Sequence, residues 1–190
     1  FKFANNIEVK QWNQNRMEVR ASVNLNDGEG NEHFNLKTSD NGDQVKIYSD
    51  FGNYFKRKRN WNKNNTTEIS YVVYVPKNVT LKVKSISGSL ESNSFSGNLT
   101  TDLISGNITL KKYQGKMLLK TVSGDVDVAI SRAKINAKTV TGTIYSDLTI
   151  DKSYSQNKSY SSKIRGTVNN GTQTLNMSTV SGNIYMRKVK

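Results

Sequence analysis

Cysteine is absent from the sequence, and proline (Pro76) and histidine (His33) each occur once. With no Cys there is no disulfide framework, no thiolate nucleophile and no thiolate metal site. A lone His without HExxH spacing excludes the common zinc ligand sets, so no metal site and no cofactor are expected. A Ser-His-Asp relay would have to use His33, which lies beside acidic loop residues, and nothing else points there. Long apolar runs are also missing, and none reaches the roughly 18 residues of a membrane-spanning helix. Acidic residues are few, 15 Asp and Glu against 28 Lys and Arg, for a formal charge of +13. The excess lies mostly after residue 75. Such a charge attracts polyanions, and it also keeps a strand-rich surface from pairing edge to edge.

What is present is a repeat. Aligned on glycine, blocks of nine run from residue 76 to 147: PKNVTLKVK, SISGSLESN, SFSGNLTTD, LISGNITLK, KYQGKMLLK, TVSGDVDVA, ISRAKINAK and TVTGTIYSD. Position four is Gly except at Val79 and Ala133, and position six is always apolar, from Leu81 to Ile144. Apolar residues at positions two and six, with Gly at four, share one face of a strand of period two, which excludes a helix. Nine is odd, so each block needs a corner, placed most simply at positions nine and one. Position two carries Ile86, Ile104, Val122 and Val140 in alternate blocks, while the intervening blocks follow no such rule. A coil of two blocks explains the alternation, because like blocks then stack at about 4.8 Å. The expected fold is all-β: a single-stranded parallel β-helix or solenoid of roughly 18-residue, two-strand coils. By analogy with strand crossovers it is right-handed. Val122 should stack between Ile104 and Val140. The glycines belong where backbones approach closely, not in a nucleophile elbow.

Residues 151–162 interrupt the pattern, which resumes at KIRGTV (163–168) and TVSGNIYM (179–186). Residues 1–75 read as an irregular N-terminal β cap continuous with a solenoid over 76–190. Within the cap, GNYFKRKRNWNKNN (52–65) places Lys56, Arg57, Lys58, Arg59 and Lys63 among Tyr54, Phe55 and Trp61. Basic and aromatic residues together suit single-stranded nucleic acid or sugar, and the plain alternative is a hairpin tip with its aromatics folded onto the core. In a two-block coil the charges separate. The TVSG-like blocks carry Lys111 against Glu91, Asp125, Asp127 and Asp147. The other blocks are strongly basic, with Lys116, Lys120, Lys134 and Lys138 among nine cations and only Asp102 opposing them. A wall of stacked lysines is therefore a candidate surface for an acidic polymer. Asp125 and Asp127 could form a carboxylate pair but read as ordinary surface charges, and no catalytic residue is assigned.

The runs KTVSGDVDVAI, KTVTGTIYSDL and TVSGNIYMRK, with IEVKQWNQNRMEVRASV and YVVYVPKNVTLKV earlier, resemble the bacterial "putative-adhesin" family, a domain of unknown function with Ser-Gly repeats. Ala133 and segment 151–162 depart from its pattern. The resemblance implies a parallel β-solenoid on an exported protein of the cell surface or periplasm, whose signal peptide would lie outside this sequence. It transfers no catalytic residue. The leading expectation is a non-enzymatic, adhesin-like binding or scaffold module for an anionic glycan or other envelope polymer. A polysaccharide-active β-helix enzyme and nucleic-acid binding through 56–63 are the alternatives, and no specific nucleic-acid partner is expected.

Overall fold

Alternation governs the chain from its first strand. In TEISYVVYVP (67–76), Ile69, Tyr71, Val73 and Val75 are buried while Glu68 and Ser70 are exposed, the pattern of a strand with one face on a core. The computed structural model describes residues 1–57, 66–158 and 161–189. The N-terminal part contains β1 (Asn6–Trp12), β2 (Glu18–Leu25), β3 (Asn35–Asp40), β4 (Val45–Asp50), the short helix α1 (Tyr54–Arg57) and β5 (Thr67–Pro76). There follow β6 (Val79–Ser87), β7 (Ser89–Ser92), β8 (Phe95–Ser105), β9 (Ile108–Leu110), β10 (Tyr113–Gln114), β11 (Met117–Ser123) and β12 (Val126–Ile130). The chain ends with β13 (Ala133–Thr141), β14 (Ile144–Ser146), β15 (Asp151–Lys158), β16 (Ser161–Val168), β17 (Thr174–Ser181) and β18 (Ile184–Lys188).

Two large sheets enclose the core. The first runs β14-β18-β12-β9-β7-β1-β5-β2. In the second, β8-β11-β17-β13-β16-β15 form one path, with β6 and the two-residue β10 both paired to β8. Strands β3 and β4 form a separate hairpin. Ile7, Leu90, Ile108, Val126 and Ile184 from the first sheet, and Leu99, Met117, Leu119 and Leu175 from the second, belong to one cluster and are almost fully buried. Each such side chain contributes about 1.5–3 kcal/mol of hydrophobic stabilisation.

The eighteen-residue repeat appears directly in the register. Leu81 pairs with Leu99 and Leu99 with Met117 in the second sheet. Leu90 pairs with Ile108 and Ile108 with Val126 in the first. The fold is thus solenoid-like, but the sheets are mixed, which corrects the expectation of a purely parallel solenoid. Strand β2 is antiparallel to β5, β16 to β13 and β15 to β16.

A second correction concerns strand order. The rung after Met117 is Leu175, with Ile135 one strand beyond it. In the first sheet Ile184 likewise separates Val126 from Ile144. The C-terminal strands β17 and β18 therefore lie between two segments adjacent in sequence. Val122 is flanked by Ile104 and Val180, and Val140 stands beyond Val180. The segment KIRGTV, expected to resume the coil, is β16. It runs antiparallel along the far side of β13 and leaves the near side to β17.

The corners explain the Thr-Val-Ser-Gly motif. Inward alternation passes from Leu99 through Thr101 to Leu103, and from Met117 through Leu119 to Thr121. It crosses the block boundary, and the chain turns two residues later, at the Ser-Gly step. The motif's first residue is consequently buried and its second faces solvent, the reverse of the expected inward position two. Buried Thr121 Oγ1 donates to the Gly106 carbonyl at 2.9 Å, Thr179 to Gly124 at 3.0 Å and Thr139 to Gly182 at 2.8 Å. These hydroxyls satisfy corner carbonyls that no strand pairs. Gly124 has φ +147, and a Cβ there would lie 2.2 Å from the Gly106 oxygen. Only glycine permits that conformation and that approach. Just beyond, Asn107 Oδ1 accepts from the Asp125 N–H, Asp125 Oδ1 from Asn183 and Asn183 Oδ1 from Thr143, so each rung holds the next.

Candidate binding surface

The outer face of the second sheet is built by the residues between the buried ones on β6, β8, β11, β17, β13 and β16. Across these strands in turn, one row reads Lys84, Asp102, Lys120, Ser178, Lys138, Lys163. The next row reads Lys82, Thr100, Leu118, Asn176, Asn136, Arg165. Lys116 and Lys134 stand in a third row, on either side of β17. The four lysines Lys116, Lys120, Lys134 and Lys138 are all exposed on this one face. They do not form the continuous stack anticipated above. Ser178 separates Lys120 from Lys138 by two strand spacings, about 10 Å. Asp102 lies between Lys84 and Lys120, with Lys84 Nζ 3.8 Å from its carboxylate. At about a Debye length apart Lys120 and Lys138 repel each other weakly, whereas Lys138 and Lys163 are direct cross-strand neighbours.

The other broad face is mixed. On the first sheet Lys10 pairs with Glu8 at 2.9 Å, Arg20 with Glu18 at 2.7 Å and Arg187 with Asp127 at 2.7 Å. The hydrogen bond to Asp127 also raises the Arg187 pKa. Asp125 is engaged in the corner ladder and Asp127 in this ion pair, so the two do not converge on a reaction site.

Alongside the lysine row, at its corner end, runs an aliphatic ridge: Ile86, Ile104, Val122, Val180 and Val140. The first four are 47%, 54%, 48% and 47% exposed. This ridge was missed when position two was turned inward. The signal was available in the continuous alternation through Leu99, Thr101 and Leu103, which puts Ile104 outside. At its first two rungs the ridge enters a recess of about 460 Å³ whose lining includes Tyr48, Lys2, Lys46 and Lys84.

Of the basic loop, Lys56 and Arg57 end α1, while Lys58, Arg59, Trp61 and Lys63 lie outside the described residues. The preceding aromatics turn toward the core. Phe55 packs 4.6 Å from Phe3 and 5.1 Å from Phe51, and Tyr54 sits 5.0 Å from His33. A second recess, about 660 Å³, is lined by Lys112, Tyr113, Gln114, Arg132 and Gln173 among others, with no carboxylate among its described residues. Burial raises the Tyr113 phenol pKa, and its oxygen has no hydrogen-bond partner among the described residues. Also among these residues, no group of three His, Cys, Asp or Glu could hold a metal ion, and no helix is long and apolar enough to cross a membrane.

The corner glycines, the Thr caps and the stacked rungs lie in a stretch that matches a family model, Toastrack DUF4097, over residues 77–187. The chain belongs to the Toastrack DUF4097 family. A search of the curated proteins gave no match. Among solved structures, this Toastrack chain is similar to a crystal structure of a putative cell adhesion protein from Clostridium sporogenes, at TM-score 0.56 and 10% identity. The alignment covers 97% of this chain and 88% of the other. At that identity the likeness shows a shared fold, which extends beyond the family match to the N-terminal strands.

Proposed function

We propose that this Toastrack chain is a non-enzymatic, adhesin-like binding and scaffold module, exported to the cell surface or periplasm, whose basic sheet face binds an anionic glycan or other envelope polymer. The observation that carries the reading is the separation of charge between the two broad faces. Lys82, Lys116, Lys120, Lys134, Lys138 and Arg165 project from one sheet, against two carboxylates among the described residues of that face, Asp102 on β8 and Asp151 on the edge strand β15. Charges on the other sheet are largely neutralised in pairs. The paired sheets form a stiff plate, and the lysines are spaced to meet repeated anionic groups along an extended chain. The fold shared with a putative cell adhesion protein agrees with a binding role. The larger recess, with no carboxylate among its described residues, gives no support to acid–base glycoside hydrolysis.

The test is binding of a sulfated or phosphorylated polymer by the full chain and by a variant with Lys116, Lys120, Lys134 and Lys138 all changed to Gln. The variant should bind more weakly at low salt, with a shallower dependence on salt concentration. Equal affinity and equal salt slope in both proteins would remove the basic face as the binding surface. Binding retained by the Gln variant but lost on replacing Lys56 and Arg57 would transfer the activity to the N-terminal loop.

A further inference from the structure

The aliphatic ridge needs a separate account. Burial explains the Thr column of the repeat and close backbone approach the Gly column, but the β-branched column contributes nothing to the core. Five strands nevertheless place Ile or Val at the same outward spot, including β17, which arrives from 40 residues downstream of its sheet neighbour β13. At about 4.8 Å per strand the ridge is roughly 19 Å long. The adjoining row contributes Lys84, Lys120, Lys138 and Lys163 against the one carboxylate of Asp102, and Lys46 and Lys2 border the recess at one end. A second copy of the chain is a poor occupant, because apposing two such faces would bring cationic rows together in a poorly hydrated interface. A soluble anionic polymer would meet the lysines and leave the ridge in water.

We infer that the ridge and its lysine row dock on the surface of an anionic lipid bilayer. The Ile and Val side chains enter the boundary between headgroups and acyl chains, and the lysines reach the lipid phosphates. A straight line of aliphatic side chains on a stiff sheet suits a planar surface, and the charge of the neighbouring row complements an anionic leaflet. The inference rests on the anion-binding reading of this face and names the form in which the anions are presented.

The experiment uses the full chain with vesicles of equimolar phosphatidylcholine and phosphatidylglycerol, with pure phosphatidylcholine vesicles, and with inorganic polyphosphate. A variant carrying Ile104→Thr, Val122→Thr and Val180→Thr keeps the charge and the β-branching. It should bind polyphosphate like the parent but partition onto anionic vesicles at least tenfold less. Neither protein should sediment with pure phosphatidylcholine. If the triple variant and the parent partition equally, or if the parent binds polyphosphate but not anionic vesicles, the lipid inference is overturned and the anion reading stands. If the parent binds neither anion source, both readings fall. Concentration-dependent dimerisation lost in the variant would instead assign the ridge to a second copy. Should the triple variant fail to fold by circular dichroism, Val122→Thr alone provides the same comparison, with a smaller drop on anionic vesicles expected and no change overturning the inference.

Discussion

Replacing Gly124 by Ala tests the corner most sharply. The new Cβ would sit 2.2 Å from the Gly106 oxygen and 2.6 Å from its carbonyl carbon, both backbone atoms of the neighbouring rung. Relief requires that carbonyl to move, yet it also accepts the Thr121 hydroxyl at 2.9 Å. The positive φ contributes roughly 1–3 kcal/mol of strain for a residue with a Cβ. Overpacking against immobile backbone adds roughly 1–3 kcal/mol, and loss of the hydroxyl hydrogen bond about 1 kcal/mol. The expected total is about 3–7 kcal/mol, a large part of the stability of an ordinary domain. Gly42→Ala separates the causes, because Gly42 also has positive φ (+86) but nothing lies within 4 Å of its added Cβ. That change should cost only about 1 kcal/mol. Urea unfolding at constant m-value reads both. Equal losses at the two glycines would refute the argument from rung contact, leaving backbone conformation as the whole effect.

Thr121→Val keeps the shape but removes the donor to the Gly106 carbonyl, and should lower urea stability by about 1–2 kcal/mol. Val122→Thr, one residue along, should change it by no more than about 0.5 kcal/mol, because Val122 faces solvent. A clear loss at Val122 with none at Thr121 would reverse the assigned orientation. Burial pushes the Tyr71 phenol up to about 12, against the opposing hydrogen bond with Ser49. The associated stability is complete below the unfolded-state pKa of about 10 and is lost as pH rises toward the folded value. The wild type should therefore lose more urea stability than Tyr71→Phe between about pH 8 and about pH 11, and parallel losses would refute the assignment.

The all-β class and the eighteen-residue stacking were legible because position six is apolar in every block, and Leu81, Leu99 and Met117 do stack in that register. The lysines of the candidate surface were legible for the same reason: odd spacing from buried Met117 and Leu119 puts Lys116 and Lys120 outside. The ridge was misassigned because a β-branched residue suits either face of a strand, and a periodic pattern alone does not locate a corner. Thr121, at block position one, was expected at a corner, and its hydrogen bond to the Gly106 carbonyl is what makes it a good buried residue. The loop cluster was composed of residue types, with no periodicity to orient it. Its aromatics Tyr54 and Phe55 turned out to pack toward the Phe3 and Phe51 side.

Strand order was the least legible feature, and the cause is degeneracy. Met117 and Leu119 can receive either Ile135 and Ala137 or Leu175 and Met177 in the same register, because both segments repeat the same alternation and the same Thr-Val-(Ser/Thr)-Gly corner. Local preference is nearly equal for the two arrangements, so the choice lies with the rest of the sheet. Stacking β13 on β11 would leave β17 only the far side of β13, the side that β16 occupies in seven consecutive residue pairs from Ala133 to Thr139. With β17 between β11 and β13, both sides of β13 are paired, and β17 itself gains two neighbours. More backbone groups are hydrogen-bonded and fewer long edges remain open. The inserted order also completes the outer face: Ser178 separates Lys120 from Lys138, and Val180 continues the ridge between Val122 and Val140. The arrangement that best satisfies the backbone is thus the one that spaces the lysines and joins the aliphatic residues into a single line.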